Sequence, residues 1–167
     1  MTFEKNTITS SHTEEIATLF DPENPLLPFS LESIRQIPEF GSILYAVFLD
    51  KTEFIYIGIG GLSGANAKSR DPRSRIRQHT QGRRSGDQFC IYIQDFYVIP
   101  DLIRSDYTPR KGHLDELVRD FIQSRLSFRF VVFQTDDSDQ IVRRLEREIQ
   151  SGQHQNQLPT INSSIKN

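Results

Sequence analysis

The 167 residues combine 36% apolar with 25% charged side chains, a balance that fits a folded chain with a buried core and excludes a disordered one. One cysteine, Cys90, excludes an internal disulfide and thiolate metal clusters, and no apolar run approaches membrane-spanning length. The N-terminus "MTFEKNTITSSHTEEI" lacks the apolar core of a signal peptide, so a cytoplasmic protein with no membrane partner is the expectation. The net charge of −2 hides an asymmetry. Lys68, Arg70, Arg73, Arg75, Arg77, Arg83 and Arg84 face one acid, Asp71, which makes this segment +6 and the rest of the chain −8. A basic patch on an acidic body is the electrostatic footprint of polyanion binding, although a charge run taken alone is more often a solvated helix face.

In chain order, "SSHTEEIATLF" offers a capping box from Ser11 to Glu14 and then Ile16, Leu19 and Phe20 at helical spacing. "DPENPLLP" is a proline-broken connection, and "SLESIRQI" repeats a helical pattern through Leu31, Ile34 and Ile37 before Pro38 stops it. Two apolar runs, Ile43–Leu49 and Phe54–Ile59, flank Asp50-Lys51-Thr52-Glu53 and read as a β-hairpin. A loop, "GLSGANAKSRDP", leads into a short helix around "RSRIRQHT", and "GRRSGDQ" is a second loop. "FCIYIQDFYVIP" alternates aromatic and aliphatic residues and reads as a strand ended by Pro100, followed by irregular "DLIRSDYTPRKG". "HLDELVRDFIQSRL" is an amphipathic helix with Leu114, Leu117, Val118, Phe121 and Ile122 on one face. "FRFVVFQT" is a strand, and "DDSDQIVRRLEREIQSG" a helix with Ile141, Val142, Leu145 and Ile149 as its inner stripe. The tail around Pro159 is polar. The expected fold is α/β, in the α+β sense. A small mixed or antiparallel sheet is flanked by helices over residues 41–167, preceded by a helical N-terminal extension over residues 1–40.

The hairpin poses a question. Each of its apolar runs holds one tyrosine, Tyr45 and Tyr56, and the second ends in Gly58, Gly60 and Gly61. No P-loop lysine or dinucleotide fingerprint follows these glycines. The order Tyr45, then Tyr56-Ile57-Gly58, then Arg75 on a helix, then Glu146 on a later helix, resembles the GIY-YIG nuclease family over most of the chain, from about Ile43 to Asn162. Ile43-Leu44-Tyr45 stands where the family has Gly-Ile-Tyr, and Tyr56-Ile57-Gly58 is an intact second motif. Arg75 matches the catalytic arginine, and His79 falls where the family has a tyrosine or histidine one turn later. Glu146 matches the metal-binding glutamate, and Pro159-Thr160-Ile161-Asn162 resembles the closing Pro-x-x-Asn. "GRRSGDQFCIYI" is similar to a segment of small stand-alone members. Two departures stand out: Ile43 replaces the first glycine, and the longer spacing from Gly58 to Arg75 makes the loop at 60–72 an insertion.

The resemblance implies a metal-dependent DNA endonuclease with Tyr45, Tyr56, Arg75, His79 and Glu146 in the site and Mg2+ or Mn2+ held by Glu146. The chemistry of these residue types agrees. A carboxylate holds a hard divalent ion, which neutralises phosphate charge as a Lewis acid. The planar arginine fork suits phosphate oxygens. A phenol, with a pKa of about 10, is a poor base at neutral pH unless nearby positive charge favours its phenolate. Tyr45 is thus expected as general base, and Tyr56 as a water-positioning group. The two tyrosines are expected to face solvent and substrate, while Arg75 and His79, one turn apart, address one phosphate. Lys68, Arg70, Arg73, Arg77, Arg83, Arg84 and Asn162 are expected to contact DNA. Periodicity alone leaves Glu146 and Glu148 tied at opposite edges of the last helix's apolar stripe; the resemblance selects Glu146 and leaves Glu148 solvated, pairing with Arg144. Tyr92 and Tyr97 read as packing residues, and His12, His113 and His154 receive no role. With no separate DNA-recognition segment, specificity is expected to be low or to come from a homodimer. The alternative from another class is a non-catalytic nucleic-acid-binding module on the same fold.

Overall fold

The hairpin sits at the centre of the architecture. Ser42–Leu49 (β2) and Glu53–Gly60 (β3) pair antiparallel through a turn in which Asp50 (φ 48°) and Lys51 (φ 66°) are both left-handed. That is the dihedral pair of a tight primed turn, whose twist matches the strands it joins. Non-glycine residues bear a conformational cost there, and Arg125 offsets it: its carbonyl accepts the Asp50 N–H at 3.0 Å and its guanidinium grips the Asp50 carboxylate. The computed structural model describes residues 12–62, 71–154 and 158–164. Ser11, Lys68 and Arg70, given roles above, lie outside the described residues.

The sheet has four antiparallel strands in the order β1-β4-β2-β3, with β1 at Leu27–Pro28 and β4 at Leu126–Phe133. Every residue of β2 is buried, because helices cover both faces. Ile43, Tyr45, Val47 and Leu49 point to one face, where they meet α2 (Leu31–Arg35), α3 (Arg73–Thr80), α4 (Gln88–Ile93) and α6 (His113–Arg125). Leu44, Ala46 and Phe48 point to the other, against α1 (Thr13–Phe20) and α7 (Ser138–Gln150). The expected mixed α/β fold is thus present, with the sheet wholly antiparallel. Of the N-terminal extension, residues 12–40 are built into it: Ile16 and Leu19 of α1, Phe29, and Ile34 and Ile37 are core residues, and Leu27–Pro28 is an edge strand. Among the described residues, no helix is long and apolar enough to cross a membrane.

One element differs from its sequence reading. Residues 88–104 are not a strand but a continuous helical run: α4, a π-helical stretch at Gln94–Val98, and α5 at Ile99–Arg104. Alternating aromatic and aliphatic residues suggested the period of a strand. The buried positions, however, are Phe89, Cys90, Ile93 and Val98, spaced for one helix face. Asp87 starts the run as an N-cap, its Oδ1 accepting the Phe89 N–H at 3.1 Å. Pro100, read as a terminator, occupies the first turn of α5, where its missing N–H is tolerated. Tyr92 and Tyr97 pack against the core as expected, Tyr97 stacked on Phe121.

Candidate active site

A register shift between Val47 and Phe48 of β2 brings the two tyrosines together. Val47 pairs with Tyr56 and Phe48 with Phe54, so Ile55 is an extra residue on β3. Strict alternation would send Tyr56 to the face opposite Tyr45. The bulge returns it to the Tyr45 face, and the phenol rings lie 6.3 Å apart between centroids. Gly58 pairs directly with Tyr45 across the strands. A Cβ built on Gly58 would lie 2.4 Å from the Tyr45 Oη and 2.7 Å from Tyr56 Cε1, so the glycine is the space the first phenol occupies.

Around this pair stand Arg75 and His79 of α3 and Asp87 before α4. The Tyr45 hydroxyl is 2.7 Å from His79 Nε2, and His79 Nδ1 is 2.6 Å from Asp87 Oδ2. Phe89 covers the imidazole, with ring centroids 4.3 Å apart. Burial pushes the His79 pKa below its ordinary value against the pull of Asp87, so the ring is neutral at neutral pH. Burial also acts to raise Asp87, but the His79 hydrogen bond and the Arg75 charge outweigh it and hold the carboxylate ionised. An ionised carboxylate only accepts, so Nδ1–H donates to it; Nε2 is then a lone pair, and the Tyr45 O–H donates to Nε2.

The sequence reading requires three corrections here. Tyr45 has no exposed surface and Tyr56 only 8%, so the tyrosines form the inner wall of the site rather than facing solvent. Their phenols are also not poised as phenolates. Burial first, then the charges of Tyr56 on Tyr45 and of Glu146 on Tyr56, raises both pKa values well above the ordinary 10, and Arg75 only partly opposes this. Finally, Arg75 and His79 share a helix face but not a depth. His79 is completely buried and does not reach a phosphate, whereas Arg75 is partly exposed, with Tyr45 acting on its charge. Burial works against its charge, but Tyr45, Asp87 and Tyr56 outweigh that and keep it protonated.

Glu146 comes from α7, on the other layer, yet its charge acts on both phenols. It is partly buried, and among the described residues it has no hydrogen-bond or ion-pair partner. Burial raises its pKa to about 7, with Arg143, Arg75 and Arg147 opposing. Glu148 is engaged instead: its carboxylate lies 3.6 Å from Arg144 Nε and 2.8 Å from His154 Nε2. The pairing with Arg144 was expected; the second partner, His154, was not. The donor set at Glu146 is a hard, unpartnered carboxylate, which suits a hard divalent ion. His79, Asp87 and Cys90 also bring three ligand atoms within 4.8 Å of one another. That group is a hydrogen-bonded cluster: burial and the adjacent Asp87 push the Cys90 thiol pKa far up, and both His79 nitrogens are engaged.

The basic segment divides in two. Arg73 binds the Ile37 carbonyl at 2.6 Å and Glu39 at 3.1 Å, and Arg84 binds Asp115 at 2.5 Å and Gln94 at 2.7 Å. Both are structural clamps rather than free phosphate contacts. Arg77 and Arg83 are exposed and, with Arg119, line a pocket between α2, α3 and α6. Asn162 is likewise not free for DNA: its side-chain amide accepts from Ile57 N–H at 3.1 Å and donates to Ile57 C=O at 2.7 Å, closing the edge of β3. Arg143 and Arg147, exposed on α7 beside Glu146, were missed in the sequence, as was Asp87. The i, i+4 spacing of the two arginines around Glu146 was a readable signal. Comparison with protein-family models, with curated proteins and with solved structures returned no match.

Proposed function

We propose that the protein is a metal-dependent endonuclease of the GIY-YIG type that hydrolyses phosphodiester bonds in DNA. The observation that carries this reading is convergence. Tyr45 of β2, Tyr56 of β3, Arg75 of α3 and Glu146 of α7 act electrostatically on one another at a single site, although they are up to a hundred residues apart. The two cations flanking Glu146 and the partly exposed Arg75 give this site a positive rim suited to a phosphate.

In the proposed reaction, a phosphodiester draws the Arg75 guanidinium toward its non-bridging oxygens, and that movement uncovers the Tyr45 hydroxyl. The high pKa of Tyr45 means that it is protonated at rest and is not a base on its own. It takes a proton from water while passing its own proton to His79 Nε2, so that one O–H bond of the phenol forms as the other breaks and the imidazole becomes the imidazolium. The water oxygen bonds to phosphorus as the ester P–O bond breaks; the leaving oxygen takes a proton from a second, solvent water, and the hydroxide so formed takes back the imidazolium proton through Tyr45, which restores the neutral relay. Tyr56, which keeps 8% of its surface exposed, orients the water. Mg2+ or Mn2+ at the unpartnered Glu146 carboxylate would neutralise phosphate charge and act as a Lewis acid.

Incubating purified protein with supercoiled plasmid, with and without Mg2+ or Mn2+, tests this reading. Metal-dependent nicking or linearisation is expected. Retardation of the plasmid without cleavage under any metal condition would replace it with a non-catalytic nucleic-acid-binding module.

A further inference from the structure

We propose that Asp87 is the positioning residue of a buried Tyr45–His79–Asp87 relay, holding His79 as the tautomer with its proton on Nδ1 so that Nε2 receives the proton of Tyr45. Asp87 has no counterpart among the residues singled out in the sequence, and it stands eight positions beyond His79 at the start of α4. Its two oxygens have separate tasks. Oδ1 accepts the Phe89 N–H and caps α4; Oδ2 faces His79 Nδ1 at 2.6 Å and the Cys90 Sγ at 3.5 Å. Capping alone requires only the first.

The second oxygen decides the direction of the chain. A neutral imidazole has one N–H and one lone pair, and its tautomer follows the partner each nitrogen finds. The groups facing His79 are Tyr45 from β2, Tyr56 from β3, Arg75 from its own helix, and Asp87 and Cys90 from the start of α4. Only Asp87 is an obligate acceptor within hydrogen-bond distance. It therefore fixes Nδ1–H, and when Nε2 gains a proton the imidazolium charge arises 2.6 Å from a carboxylate. This is the logic by which an aspartate orients the histidine of a Ser-His-Asp triad, with a phenol in place of the serine hydroxyl.

Asp87→Asn tests it. The amide oxygen can keep the α4 cap while the NH2 falls on His79, reversing the tautomer to Nε2–H, which no longer accepts from Tyr45. In 15N-detected NMR of the imidazole, the wild type is expected to show Nδ1 protonated and Nε2 bare, and the variant the reverse, with a melting temperature near wild type. Cleavage should fall on the order of 10^4-fold in kcat with KM little changed, the effect of the corresponding exchange in serine proteases. If Asp87→Asn does not fold, Asp87→Ser retains a cap acceptor and removes the carboxylate from His79, and it is read the same way. An unchanged nitrogen pattern, or a reversed pattern with a wild-type rate, overturns the proposal. The rate arm rests on the nuclease reading, but the nitrogen pattern does not. A wild type that cleaves nothing would defeat the nuclease reading, and the pattern alone would then decide the tautomer assignment.

Discussion

Replacing Glu146 by glutamine is expected to stabilise the metal-free protein at alkaline pH while abolishing its activity. The reasoning starts from a carboxylate held partly buried without a partner, with its pKa raised from an ordinary 4.5 to about 7, chiefly by burial. The sign follows from linkage. The folded state favours the protonated acid, so ionisation costs nothing well below pH 4.5. The cost grows as pH rises from 4.5 through about 7 and is complete above that. The difference between the two pKa values corresponds to about 3 kcal/mol at pH 8 and about 1 kcal/mol at pH 5. Glutamine is uncharged throughout and escapes this cost. For a chain of this size the expected rise in melting temperature is about 6–12 °C at pH 8 and much smaller at pH 5. Thermal melts of both proteins at the two pH values, with and without millimolar Mg2+, measure it. Mg2+ should raise the melting temperature of the wild type at pH 8 and leave Glu146→Gln unmoved. A variant no more stable than wild type at pH 8, or one stabilised equally at both pH values, would refute the picture of a strained, metal-ready carboxylate.

Gly58→Ala places a methyl group 2.4 Å from the Tyr45 hydroxyl. It is expected to cost about 1–3 kcal/mol in a denaturant melt, and an unchanged midpoint would mean that Tyr45 does not lie over that glycine. Asn162→Ala removes both hydrogen bonds to Ile57 and should lower stability by about 1–3 kcal/mol while leaving DNA affinity at a fixed salt concentration unaltered; a loss of affinity without a loss of stability would return Asn162 to the binding surface. Reversing Arg77 and Arg83 to glutamate should weaken binding to unrelated DNA sequences alike and flatten the salt dependence by roughly one unit of slope per lost phosphate contact, whereas Arg73→Glu should act mainly on stability through its clamp to Ile37 and Glu39. An affinity that stays constant from low to physiological salt in the wild type would speak against a nucleic-acid partner.

Local periodicity made much of this structure legible. The hairpin was readable from two apolar runs about a polar turn, and α6 and α7 from stripes such as Val142, Leu145 and Ile149, all buried as expected. Residues 89–100 were misread as a strand because a short run crowded with aromatic and aliphatic residues carries no clear period of its own. The signal that distinguishes helix from strand was just upstream: Asp87 is a helix cap. Missing the cap also hid the partner of His79. The site residues were recognisable as types in order, but their depth was not. Depth depends on the bulge at Ile55, which turns Tyr56 onto the Tyr45 face, and on Phe89 closing over His79. Neither leaves a mark in the spacing of the tyrosines. The basic segment showed its charge but not its commitments, since Arg73 and Arg84 find their partners in elements distant in sequence.

The central claim, that this site performs phosphodiester chemistry, is tested most directly by comparing wild type with Arg75→Ala in a plasmid-cleavage time course with Mn2+. Arg75 is only partly buried, so its removal should leave the melting temperature within a few degrees of wild type. The account predicts cleavage by the wild type and a rate at least about 100-fold lower for Arg75→Ala, the loss typical of removing one preorganised charge-stabilising group. A folded Arg75→Ala protein that cleaves at the wild-type rate would contradict it.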